Sequence, residues 1–258
     1  KAPVKDAVTA DGTIVVPIDA ESFGFWWTAA FGVPVTSGDQ APFTHEFRSG
    51  SWVLPSFTVE TAMPEVPRYA RYAGCKVDSV SWQMARSGLL TATVSVIAQG
   101  EEVSGSSSVG TVETIELRRF GHFNGTITRN GVAIGNVVSV DLTYSNTLDR
   151  IETIRSDGKI DGIDPSIAAL TGSITVRFAD QTLVTQAING EACALEFSYV
   201  LATGESLTLT AHAVYLPRPR IEISGPQGVQ ASFDWQAASD PVLGRMCTVT
   251  LTNDREVY

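Results

Sequence analysis

The sequence predicts an all-β fold with minor α content, and three observations predict it. Apolar and polar residues alternate in four separate segments, the pattern of a strand with one buried and one wet face. An Asn-Gly pair sits between two short alternating runs, which signals a tight hairpin. Stretches of the first half recur in the second at a nearly constant offset, so the chain reads as two tandem copies of one β-rich unit.

Residues 1–18 read as an extended arm, β-branched at 13–16 and ending at Pro17. The segment DAESFGFWWTAAFGVP at 19–34 predicts a short helix. Asp19 or Ser22 is its N-cap, Gly32 its C′ residue and Pro34 its stop. Phe23, Trp26, Trp27 and Phe31 form an aromatic stripe suited to packing rather than to holding a cofactor. From Phe43 onward the chain is mostly strand. SFTVE at 56–60 alternates, as do LTATVSV at 90–96, SVDLT at 139–143 and LTGSITV at 170–176. TITRNGVAI predicts a hairpin with Asn130-Gly131 at the two positive-φ positions of a type I′ turn. ESLTLTAHAVYL is a further strand and CTVTLTN closes the chain. A second helix is expected over 181–188, capped by Asp180 and ended by Gly190. EEVSGSSSVG at 101–110 is a small polar linker.

The repeat crosses that linker. CKVDSV at 75–80 matches GKIDGI at 158–163, and 83 residues separate Lys76 from Lys159. The same 83 separate Thr58 from Asp141, while 80 separate Leu90 from Leu170 in LLTATVSV and ALTGSITV. The division expected is an N-terminal arm (1–18), a first unit (19–103), a linker (104–110) and a second unit (111–258). Each unit reads strand, long polar arm, strand, strand. The arms span 62–74 and 145–158, a length usually functional in compact domains. Two β-units in one chain expose sheet edges that call for partners, and a head-to-tail ring removes such edges.

Composition narrows the function. The 258 residues are 43% hydrophobic, enough for a large core, and carry a net charge of -10. A protein whose main work is gripping nucleic acid needs clustered cations, so the charge argues against that class, though not against a surface that nucleic acid merely passes. No run of about 18 apolar residues is present, so no membrane-spanning helix is expected. Cys75, Cys193 and Cys247 are widely spaced and odd in number. They read as reduced core thiols rather than a disulfide framework or zinc ribbon, which fits synthesis in a cytosol.

The order of several stretches resembles the tail tube proteins of long-tailed bacteriophages, in a two-repeat form. In the first half these are WWTAAFGVPVTSGDQAPFTHEFRSGSWVLPSFTVE, RYAGCKVDSVSW and GLLTATVSVIAQGE. In the second they are FGHFNGTITRNGVAIGNVVSVDLTYSN, GIDPSIAALTGSITVRF and the terminal TVTLTND. The resemblance implies tandem β-sandwich or split-barrel domains with a flanking helix, whose sheets join between subunits into a β-barrel. It implies a structural virion subunit without catalysis, metal or cofactor, made in the host cytoplasm. Its partners would be further copies of itself, the tape measure protein, the tail terminator and the distal tail or baseplate proteins. Double-stranded DNA would pass transiently through the lumen. With two units per chain, a homotrimer would form a pseudo-hexameric ring. Lumen-facing positions would come from the wet strand faces: Thr58, Glu60, Thr91, Thr93, Ser95, Asp141, Thr143, Thr171, Ser173 and Thr175. Ring-stacking residues would be Met63, Pro64, Glu65, Arg68, Tyr69, Arg71 and Tyr72 in the first arm. In the second they would be Asn146, Asp149, Arg150, Arg155, Asp157 and Lys159. Arg177 continues the wet series with the opposite charge, and the helix at 181–188 has no obvious counterpart in the first unit.

Other chemistry finds little support. There is no H-E-x-x-H, and His45, His122 and His212 are far apart in sequence. G-x-S-x-G and the P-loop pattern are absent. Asp157, Asp161 and Asp164 in DGKIDGIDP miss the spacing of a calcium loop. Two rivals remain: a carbohydrate-binding or adhesin-like β-sandwich with Trp52, Trp82 and Trp235 as stacking platforms, and a hydrolase using a carboxylate pair.

Overall fold

The computed structural model describes residues 8–177, 182–218, 220–222 and 230–258. Strand β1 (Ala10–Pro17) leads through a turn into helix α1 (Gly24–Phe31). Short β2 (Val35–Ser37) and β3 (Phe43–Arg48) follow. Next come β4 (Phe57–Met63), the 17-residue β5 (Arg68–Met84), β6 (Thr91–Ala98) and β7 (Gly100–Ser104). A single 3-10 turn (His122–Asn124) precedes β8 (Gly125–Arg129) and β9 (Val132–Ala133). β10 (Val137–Ser145), β11 (Asp149–Ile151), β12 (Gly162–Asp164) and β13 (Ala169–Arg177) come before helix α2 (Thr182–Asn189). The chain ends with β14 (Cys193–Val200), β15 (Ser206–Tyr215), β16 (Arg220–Glu222), β17 (Gln230–Ala238) and β18 (Cys247–Asn253).

The fold is all-β, with large antiparallel sheets and no closed barrel. One layer runs β1-β6-β5-β10-β13-β17, with β16 on the outer side of β17. The other runs β2-β3-β18-β15-β14-β8-β9. β15 joins them, because its last residues, Ala213 to Tyr215, switch onto β17. The alternating strands send their apolar residues into one core shared by both layers. Phe197 of one layer stacks on Trp235 of the other at 6.0 Å between ring centroids. Helix α1 seals one end: Trp27 meets Trp82 of β5 edge-to-face at 5.5 Å, and Phe31 stacks on Tyr144 of β10 at 4.0 Å.

The caps show where local signals held and where they moved. Gly32 ends α1 at φ 91 and its N–H bonds Thr28 O, as its place after the last helical residue predicts. Asp19 caps the turn before the helix: it accepts from the backbone N–H groups of Glu21 and Ser22 and from the Ser22 hydroxyl. The helix N-cap position itself falls on Phe23. Asn130 (φ 49) and Gly131 (φ 78) form the expected turn between β8 and β9. Gly190 follows α2 at φ 67, while the expected cap Asp180 and Gln181 lie outside the described residues.

The segments expected as long polar arms carry strands. The first is a hairpin, β4 with the leading half of β5, widened by β7. Its period-two pattern was hidden by Arg, Tyr and Ala in mixed order. The second folds on itself through the β11–β12 pair. The thiols of Cys75, Cys193 and Cys247 are buried and free. Burial pushes the Cys247 thiol up to about 12. The two halves are also interwoven: β18 pairs with β3 of the first half and β15 of the second, and Phe120 sits in the core beside Leu90.

Candidate functional site

The most continuous chemical surface is the wet face of the first layer. Register aligns its side chains in rows across the strands. One row runs Val15, Thr93, Ser81, Thr143, Thr171, Gln236. A second holds Thr13, Ser95, Ser79 and Ser145. A third brings Gln83, Asp141, Ser173 and Asp234 side by side. Thr175 lies between Ser139 and Ser232 one row further on. Eight of the expected lumen positions, Thr91, Thr93, Ser95, Asp141, Thr143, Thr171, Ser173 and Thr175, thus share this layer, and none of them is buried.

Asp141 is its best-held carboxylate. Oδ1 accepts from Gln83 Nε2 at 2.9 Å and Oδ2 from Ser173 Oγ at 3.2 Å. Neither donor is a cation, so the charge is oriented but not neutralised by them. Asp234 adds a second carboxylate across Ser173, and a concavity of about 740 Å³ opens over Asp141, Thr171, Asp234 and Gln236. Sequence reasoning missed Ser79, Ser81, Gln83, Asp234 and Gln236. The alternation at 230–238 is strict, so the last two were readable from period alone.

Thr58 and Glu60 are elsewhere. Both belong to β4, which among the described residues pairs with the leading half of β5 alone, so they stand on the hairpin and not in the wet rows. The Glu60 carboxylate accepts from Ser107 Oγ, Ser108 Oγ and the Ser108 N–H, at 2.6, 2.6 and 2.9 Å. These bonds hold its pKa below the usual carboxylate range. The period-two signal at 56–60 identified a strand but not its sheet.

The expected stacking residues divide in the same way. Met63, Pro64 and Glu65 are exposed at the hairpin tip. Arg68 and Arg71 instead pair along the hairpin with Glu101 and Glu102 of β7, and Tyr69 and Tyr72 are half-buried between them. Asn146 is no surface residue. It is 2% exposed, and its amide donates to Ala30 O and Val77 O. Its backbone N–H bonds Asp78 O at the β5 bulge, so it pins the start of the second arm to the core. Asp149 and Arg150 lie on β11, and Arg150 reaches Asp11 at 3.4 Å. Arg155 bridges Asp157 and Asp161 at 3.0 and 2.6 Å. The Arg155 hydrogen bond, aided by the Lys159 N–H, holds the Asp157 carboxyl down at about 2. Lys159 lies against Gly100, and Lys76 Nζ donates to Ile163 O at 2.7 Å. The two copies of the Lys-centred motif therefore touch each other, one inside β5 and one leading into β12.

Among the described residues, two acidic clusters and the three histidines have partners of their own. Arg155 already supplies the cation between Asp157 and Asp161. Glu21, Glu205 and Asp254 converge within 4.8 Å, but they surround the Arg118 guanidinium. Buried His45 has Nε2 within 2.8 Å of Arg255 O, His122 accepts from the Ala85 N–H, and His212 bonds Thr248. Trp82 and Trp235 are in the core, which removes two of the three candidate sugar platforms; Trp52 is exposed. No helix among the described residues is long and apolar enough to cross a membrane.

A comparison with curated proteins gives no match. A family model described as phage tail tube protein matches residues 1–237, all but the β18 region of the chain. An all-β chain with a hydroxyl-rich sheet face, matched over that span, belongs to the phage tail tube protein family and is a structural component of the virion tail.

Proposed function

We propose that the chain self-assembles through its sheet edges into rings, that the rings stack into a tube, and that double-stranded DNA passes through the lumen during ejection. The observation that carries this reading is the wet face of the first layer, continuous from β1 to β17. Among the described residues β1 pairs with β6 alone, and β16 with β17 alone, so the layer ends in two unpaired edges. Joining the β1 edge of one copy to the β16 edge of the next continues the sheet and leaves neither of these two edges open. The β5–β10 junction already joins the two halves of one chain in this manner.

With tube-like units at 19–103 and 111–258, an arm at 1–18 and a linker at 104–110, three chains give a pseudo-hexameric ring. Thr91, Thr93, Ser95, Asp141, Thr143, Thr171, Ser173 and Thr175 then face the lumen. Carboxylates repel phosphates and hydroxyls bring no positive charge to hold them, so DNA slides rather than sticks. The tape measure, the tail terminator and the distal tail or baseplate proteins are the partners, and no cofactor or catalytic step is needed.

Negative-stain electron microscopy of the purified chain across concentration tests this. Hollow rings or tubes with three-fold or six-fold end views are expected. Monomers at every concentration, together with binding in a glycan screen, would replace the reading with a sugar-binding module.

A further inference from the structure

The first arm and a groove at its own base complement each other. The hairpin tip from Met63 to Pro67 is exposed throughout, with Met63 at 51% and Val66 at 69%. Val66 N–H bonds Met63 O, and prolines at 64 and 67 stiffen the turn. The only charge on it is Glu65, which makes no ion pair or hydrogen bond among the described residues.

A groove of about 520 Å³ lies beside α1, where β4 begins. Phe25, Trp26 and Phe57 form its wall, three rings in mutual edge-to-face contact at 5.3 to 5.7 Å. Ile115 and Tyr258 add to the apolar lining, and Ser22, Thr28 and Ser56 add hydroxyls. Phe25 is 48% exposed, a large aromatic left open to water. The only charged residue of the lining is Arg255. It lies over the Tyr258 ring at 5.3 Å, donates through Nε to Val257 O at 3.1 Å, and makes no ion pair among the described residues.

We infer that the groove of Phe25, Trp26, Phe57 and Arg255 receives the Met63–Pro67 tip of a second copy of this chain, with Glu65 set against Arg255. This rests on the stacking reading above and names its contact. Charge complementarity selects the occupant: an apolar tip with one unpaired acid meets an apolar groove with one unpaired base. A stiff tip loses little conformational freedom on docking.

Geometry sets the outcome. Phe57 at the groove and Met63 at the tip are six strand steps apart, so the arm reaches about 20 Å and cannot fill its own groove. Each copy therefore offers a plug at one end of the arm and a socket at the other. Such an interface is heterologous, and when repeated in one direction it builds an open stack rather than a closed pair.

The test is a charge swap in the full chain, read as the concentration at which tubes appear by sedimentation and electron microscopy. Circular dichroism confirms that each variant is folded. Glu65→Arg alone and Arg255→Glu alone place like charges together, and each is expected to raise that concentration about tenfold while rings persist. The double variant restores opposite charges and is expected to return to within about threefold of the unaltered chain. If both single variants stack normally, the groove takes another occupant and the inference fails while the ring reading stands. If both fail and the double does not recover, the residues are needed but are not partners, and the inference also fails. Absence of rings from the unaltered chain would overturn the underlying reading itself.

Discussion

The indole of Trp235 lies directly over Gly172, its cross-strand partner on the core face of β13 and β17. A Cβ added at Gly172 would stand 2.5 Å from the ring and 2.4 Å from the backbone oxygen of Asp141. The side chain that is missing at Gly172 is what lets Trp235 lie flat and stack on Phe197 across the core. Gly172→Ala is therefore expected to destabilise the fold by about 1–3 kcal/mol through overpacking, despite the gain in strand propensity. Urea unfolding of the purified chain measures it; an unchanged midpoint would show that the backbone of β13 yields freely.

Asn146 predicts a second loss. Its amide is the donor for Ala30 O and Val77 O, which joins α1, β5 and the second arm at one buried point. Asn146→Ala leaves two carbonyls without that donor and is expected to cost about 1–3 kcal/mol. Asn146→Asp should be at least as damaging, because it buries a charge beside two carbonyl oxygens. Thermal unfolding of both variants checks the order.

Glu60 predicts a pH effect with a definite sign. Three bonds from Ser107 and Ser108 lower its folded pKa below the unfolded value near 4.5. Its contribution is present above that value and is lost as pH falls through the lower folded pKa. The Ser108 amide should accordingly exchange faster, relative to its intrinsic rate, once acidification passes below the ordinary carboxylate range. Glu60→Gln should show fast exchange already at pH 7. Equal protection in the variant at neutral pH would mean that the carboxylate does not hold the linker.

The wet rows predict an effect on transport rather than on folding. Asp141→Lys combined with Asp234→Lys should leave the chain folded and assembling, since both side chains point to water. DNA release from particles carrying the variant should slow and become salt-dependent, with each lysine adding roughly one phosphate contact and a slope near 0.9 in log salt. Unchanged release at low salt would remove these two positions from the lumen.

Local patterns were legible wherever one face of a strand is wet. The alternation at 90–96, 139–143 and 170–176 corresponds to strands β6, β10 and β13, with the polar residues on the expected side. Asn130-Gly131 and Gly32 announced their turns because only particular residues tolerate positive φ cheaply. The hairpin arm reads as a polar loop in sequence, because Arg, Tyr and Ala follow one another in mixed order along 68–73 and display no apolar period. Asn146 was read as surface because burial of an amide depends on carbonyls more than sixty residues away.

The class of the protein is legible from residues alone: β-strands of period two, two short helices, an acidic balance and an ordered set of segments that resembles a tail tube family. Those features are local or compositional, so they survive without coordinates. Tertiary structure decided which strands share a sheet and hence which polar residues share a face. Thr58 and Asp141 occupy matched positions in the repeat, yet one stands on the hairpin and the other in the wet rows. Pairing is fixed by contacts between distant strands, and a period of two says only that a strand has two faces, not what lies opposite either one.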